Sequence, residues 1–315
     1  MTVIDQLMAT DTPFLTDGGF ETSLFFLDGF EAPEFAAIVL LDDPKARAAK
    51  ARYFDRFLTM AAEAGTGFVL DTSSWRGAVH WGEKLGQTEG DMLRLNRDAV
   101  RFAHEIKDRW ADRVGPIVVN GVVGPAGDGY APDAELTAAE SYSKHAPQIG
   151  IFAEEGVDMV SAITMTHVGE AIGIANAATD HGLPVVISFT VETDGRLPTG
   201  ETLAEAIAAV DYATGGAPIY YMVNCAHPDH FSEWLTKGGD WLARIGGLRA
   251  NASRMSHAEL DNAEELDDGD PVEFGHLHAD LATALPGLKV IGGCCGTDHR
   301  HIGCVSGHLH HHMAA

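Results

Sequence analysis

The strongest chemical signal in this chain comes from three cysteines and their immediate neighbours. Cys294 and Cys295 lie in Val290-Ile291-Gly292-Gly293-Cys294-Cys295-Gly296-Thr297, where a short β-type run at residues 288–291 gives way to a glycine-wrapped turn. A disulfide between adjacent cysteines closes a strained small ring, whereas two thiolates on a bendable turn can both reach one zinc ion at about 2.3 Å. Upstream, Tyr220-Tyr221-Met222-Val223-Asn224-Cys225 repeats the arrangement, an apolar strand that ends on a cysteine. Three thiolates are therefore available to one metal. Structural zinc is usually closed by four protein ligands and catalytic zinc keeps a position open, so three sulfurs point to a catalytic site. Cys304 follows a helix start at residues 297–301 and lacks the strand-end setting, so it reads as a buried free thiol. As a fourth ligand it would instead close the site. Asn224, next to a ligand, is placed to orient backbone or substrate from behind it.

The elements that must position these residues alternate between two periodicities. Short β-branched or apolar runs occur at residues 14–16, 66–71, 116–120, 157–163, 184–190, 218–224, 243–248 and 288–291. Helical patterns lie between most of them, at 44–64, 91–110, 138–155, 169–181, 202–213 and 271–284. Strand-then-helix repeated in this way predicts a single-domain (β/α)8 TIM barrel over residues 1–315. Such barrels carry their chemistry at the C-terminal ends of the strands. By that counting Asp17, Asp71 to Trp75, the stretch 121–125, Thr164 to His167, Glu192, Cys225, Asn251 and Cys294 all fall on one face. The alternative, an open doubly wound sheet, lacks Gly-x-Gly-x-x-Gly at its first strand. Gly121-Val122-Val123-Gly124-Pro125 has a proline where a phosphate cradle needs a helix start, so it reads as a loop that brings backbone close to the pocket.

Composition narrows the partners. With 45% apolar residues the chain can build one large core, while a net charge of −25 and a pI near 4.8 argue against nucleic acid and anionic membranes. The first fourteen residues have no basic start followed by an apolar run, and no stretch approaches the roughly 18 apolar residues of a membrane span, so a soluble, cytoplasmic protein is expected. Free cysteines suited to a metal fit a reducing compartment. The acidic stretch 261–270 is compatible with solvent or with an oligomer interface, and the tail His308-Leu309-His310-His311-His312 reads as a solvated end outside the site.

Gly292-Gly293-Cys294-Cys295-Gly296-Thr297, Asn224-Cys225 and Leu15-Thr16-Asp17-Gly18-Gly19 together resemble the motifs of the zinc-dependent homocysteine S-methyltransferases, in that family's order and over nearly the whole chain. The resemblance implies zinc on Cys225, Cys294 and Cys295. It implies that homocysteine's amino and carboxylate groups are held by Asp17 with Gly18 and Gly19, and by a Glu-Thr pair at the end of the fourth strand. Here that pair reads Ile163-Thr164, so the threonine is kept and the glutamate is not. A substrate ammonium without that carboxylate loses about 1.5–3 kcal/mol of charge-assisted hydrogen bonding, so either Asp17 with a second acid such as Glu21 compensates or the acceptor differs. Trp75 falls where betaine-using relatives carry a tyrosine. With Trp81 it is a candidate for holding a methylated cation through its ring face.

The chemistry follows from ligand softness. Thiolate ligands keep a bound substrate sulfur electron-rich and suit alkylation of a thiol, whereas oxygen-rich zinc sites activate water. The expected activity is methyl transfer from a sulfonium or ammonium donor to homocysteine, giving methionine. The alternatives are transfer to another small thiol or selenol, or a zinc-thiolate protein without turnover, in a structural or sensing role.

Overall fold

In a computed structural model, which describes residues 1–130 and 135–310, eight parallel strands close into a barrel in chain order. They are β1 (Phe14–Leu15), β2 (Phe68–Asp71), β3 (Ile117–Val123), β4 (Met159–Met165), β5 (Val185–Phe189), β6 (Pro218–Asn224), β7 (Ile245–Ala250) and β8 (Val290–Gly293). The ring is shut by β1 against β8, with Phe14 opposite Val290 and Leu15 opposite Ile291. Strands of a parallel barrel are covered on both faces, which is why they read as continuous apolar runs. Phe14, Val69, Val118, Met159, Val186, Met222 and Val290 fill the interior, and the outward-facing residues pack under the helices. Leu7, on the helix Val3–Ala9, joins the interior cluster and is fully buried, so this short helix belongs to the barrel core.

The helices begin where their caps dictate. Asp43 caps Pro44–Ala64, and Thr88, Thr137 and Thr202 form capping boxes at Glu89–Trp110, Ala138–Glu155 and Leu203–Thr214. Asp270 caps Pro271–Ala284, and two further helices, Val168–Asp180 and His299–His310, follow β4 and β8. Pro228–Thr236, with proline in its first turn under a His227 cap, has no counterpart among the predicted helical stretches because it is short.

Two expectations need correction. Residues 121–123 belong to β3 and not to a loop: a Cβ on Gly121 would lie 2.5 Å from the Phe152 ring, so this glycine lets a helix pack on the strand. Gly124, just beyond the strand, packs on Trp75: its N–H donates to the Trp75 carbonyl at 2.8 Å, and a Cβ there would strike that same oxygen. His308 and His310 are not a solvated end. Both lie on the last helix, and His310 is buried with Nε2 3.0 Å from the Pro13 carbonyl, while His311 and His312 lie outside the described residues.

Candidate active site

The cysteines predicted to act together do meet. The sulfurs of Cys225, Cys294 and Cys295 lie within 4.8 Å of one another, with Cys225 2.6 Å from Cys294 and 3.8 Å from Cys295, and all are free thiols. Cys304 is also free but packs against Gly275 of the neighbouring helix and is half-buried.

Two strand-end turns interlock to hold the Cys294-Cys295 pair. Gly293 N–H donates to the Asp17 carbonyl (2.8 Å), Cys294 N–H to Ala250 (2.8 Å), and Gly19 N–H to the carbonyl of Thr297 (2.9 Å). A side chain on Gly19 would place its Cβ 2.7 Å from the Cys294 carbonyl, and one on Gly292 would place its Cβ 2.6 Å from the Asp17 carbonyl. The contact between the first and eighth turns therefore requires glycine on both sides.

Cys225 itself has a left-handed backbone, φ 54°, as does Thr164, φ 67°. Non-glycine residues adopt this conformation only where their surroundings over-determine it. Asn224 does so for Thr164: its Oδ1 accepts from Thr164 N–H (3.0 Å) and its Nδ2 donates to Thr164 Oγ1 (2.9 Å) and faces Cys294 Sγ at 3.8 Å. At Cys225 the carbonyl accepts from His257 Nε2 (2.8 Å) and Thr190 Oγ1 (3.3 Å), with His257 Nδ1 3.0 Å from Glu192. Burial works against the charge on His257, but the Glu192 carboxylate and the Cys225 carbonyl prevail and raise its pKa.

The three thiols do not ionise alike. Hydrogen bonds from Cys225 and Cys295, assisted by Arg249, hold Cys294 well below the ordinary thiol range. The same bonds push the donors Cys225 and Cys295 up. The cluster thus favours a single shared negative charge, and a divalent cation is what lets all three ionise together. Soft donors at this spacing fit zinc. The Tyr130 hydroxyl covers the cluster, donating to Cys295 Sγ at 3.2 Å and to Cys225 Sγ at 3.8 Å, with its ring stacked on His257 at 4.4 Å. Burial, followed by the neighbouring thiolates, raises Tyr130 well above its usual pKa, so it remains a donor.

The cluster opens into a cavity of about 600 Å3 that Asp17, Gly18, Gly19, Trp75, Thr164, Cys225, Cys294 and Cys295 all line. Asn224 is fully buried behind this surface, and Trp81 lies outside the lining with its Nε1 on the Pro125 carbonyl. Asp17 is engaged by Arg249, which bridges it to Asp71 and donates Nε to the Gly293 carbonyl at 3.2 Å. Asp71 accepts in turn from Asn120 (2.7 Å), which accepts from Ser161 (2.9 Å). Burial, then the charge of Asp71, raises Asp17 against the pull of Arg249. Glu21, also in the lining, is pushed up to about 7, chiefly by burial. Ile163 stands on the cavity wall where the resemblance implied a carboxylate. Tyr130, His257, Arg249 and Arg76 were not singled out from sequence. Tyr130, His257 and Arg249 lie far along the chain from their partners, and Arg76, though close to Trp75 and Trp81, sits in an irregular stretch where no spacing rule connects them.

A parallel barrel with a strand-end cluster of three thiols is an arrangement able to hold a soft metal ion, and comparison with known proteins gives its family. The sequence matches the homocysteine S-methyltransferase family over residues 14–309. It is 23% identical over 316 residues to homocysteine S-methyltransferase 1 of Brassica oleracea var. italica, covering 93% of this chain and 92% of the relative. It is 22% identical to the Arabidopsis thaliana protein of the same name, with the same coverage. Among solved structures, the metallated form of the homocysteine methyltransferase MmuM from Escherichia coli superposes with a TM-score of 0.74 at 18% identity, covering 97% of this chain and 99% of that one. Its oxidised form gives 0.75 at 19%, which supports the same fold. The chain belongs to the homocysteine S-methyltransferase family. It is a methyltransferase of the class that methylates homocysteine to methionine. No helix among the described residues is long and apolar enough to cross a membrane.

Proposed function

We propose that this chain binds zinc on Cys225, Cys294 and Cys295 and there transfers a methyl group from a sulfonium or ammonium donor to the thiol of homocysteine. The observation that carries this reading is the convergence of three thiols at the floor of a cavity large enough for two small substrates. When bound, zinc supplies a fourth position where a substrate thiol loses its proton and stays nucleophilic. The protein's part is positional. Asn224 fixes Thr164, and His257 and Thr190 fix the Cys225 carbonyl, so the sulfur donors are set before substrate arrives. The Tyr130 hydroxyl lies where an incoming thiol must approach Cys295 and Cys225, so acceptor binding requires it to give way.

With Ile163 on the wall, the acceptor's ammonium finds its nearest counter-charges at Glu21 and Asp17, and Glu21 gains most of its charge only above pH 7. Methionine formation from homocysteine should therefore rise from pH 6 to 8, disappear on chelation and return with added zinc. Turnover that survives complete removal of zinc would overturn the proposal.

A further inference from the structure

The two tryptophans expected to hold a donor's cation already hold one. The guanidinium of Arg76 lies 4.6 Å from the Trp75 ring and 4.1 Å from the Trp81 ring. Arg76 is only 8% exposed, and its Nε and Nη1 are buried without an acceptor among the described residues. It nevertheless lines the same cavity as the three cysteines. Unmade hydrogen bonds on a buried cation are costly, and a planar guanidinium presents its donors in a geometry matched to a carboxylate. The cavity holds one other arginine, Arg249, and that one is fully engaged by Asp17, Asp71 and the Gly293 carbonyl. Around Arg76 the lining is acidic, with Glu21, Glu34 and Asp128 contributing negative potential suited to a positive methyl-bearing group.

We propose that Arg76, clamped between Trp75 and Trp81, is the residue that binds the carboxylate of the methyl donor. This rests on the methyl-transfer reading of the site but concerns binding. Trp75 and Trp81 then act by orienting the arginine: stacking fixes its plane and keeps water from its faces.

The test is equilibrium binding of dimethylsulfoniopropionate and of its primary amide, followed by tryptophan fluorescence, with the same pair assayed as donors for homocysteine. In the wild type the carboxylate should bind at least tenfold more tightly than the amide. In Arg76→Met that ratio should fall to about one, and Arg76→Lys should retain part of it. Homocysteine KM and zinc content should be unchanged in both variants. Equal binding of acid and amide by the wild type, a preference that survives in Arg76→Met, no saturable binding of the acid, or a defect confined to homocysteine KM would each overturn the assignment. Arg76-dependent binding of the acid without any methyl transfer would instead refute the catalytic reading and leave the carboxylate site standing.

Discussion

Replacing Arg249 by methionine removes the one guanidinium that Asp17 and Asp71 share in the barrel interior, where Asp17 is 1% and Asp71 8% exposed. Two carboxylates then face each other without a counter-ion, and at pH 7 one must take up a proton. Removing one partner of a buried ion pair costs about 3–5 kcal/mol. Burial already raises Asp17 to about 7 in the native protein, so the loss should lie at the lower end of that range. At pH 5.5 the carboxyls are neutralised more readily, so the deficit relative to wild type should shrink on acidification. Urea denaturation of both proteins at pH 7 and pH 5.5 reads this directly. Arg249→Met/Asp71→Asn should recover much of the loss at pH 7, since one carboxylate no longer needs neutralising. A loss under about 1 kcal/mol, or an equal loss at both pH values, would refute the idea that Arg249 is there to hold two buried charges.

Single Cys225→Ser, Cys294→Ser and Cys295→Ser changes should each cost most of the bound zinc measured by atomic absorption. Cys304→Ser, on the outer helix against Gly275, should keep it. Asn224→Leu leaves the Thr164 N–H and Ser188 Oγ without their shared acceptor, so it should destabilise by about 1–3 kcal/mol in thermal denaturation and lower kcat/KM for homocysteine by tenfold or more. His278 is fully buried, donates Nδ1–H to the Phe274 carbonyl at 2.9 Å, and is pushed down to about 4 by burial. Between its ordinary 6.5 and 4 the unfolded chain binds the extra proton, so this residue's contribution is present above pH 6.5 and lost as pH falls through 4. Tm should decline across that window by an amount worth up to roughly 3 kcal/mol, and His278→Gln should flatten the decline.

The barrel was legible because its eight strands are apolar on both faces and each breaks at a polar or glycine turn, so counting runs counts strands. The convergence of the three thiols was legible for a different reason. Cys225, Cys294 and Cys295 each end a strand, and the fold rule brings strand ends together. Charge pairing was not readable in the same way. Asp17 reads as a free strand-end acid until Arg249, 232 residues away, is seen to occupy it. Trp75 and Trp81 likewise read as ring faces open to a ligand, and only coordinates show that Arg76 lies over both. Tyr130 sits on a connection and His257 opens the five-residue helix His257–Asp261, too short for a periodicity to mark a side chain as facing inward. Ile163 was identified from sequence as a departure, and the structure places it on the cavity wall that Glu21 also lines.

The central claim is that the three sulfurs present a metal to which homocysteine adds its own. Zinc-edge X-ray absorption on the purified protein, with and without homocysteine, tests it most directly. The shell should pass from three sulfurs and one lighter atom to four sulfurs when the thiol is added. A shell that starts at four sulfurs, or stays at three in saturating homocysteine, would contradict the account.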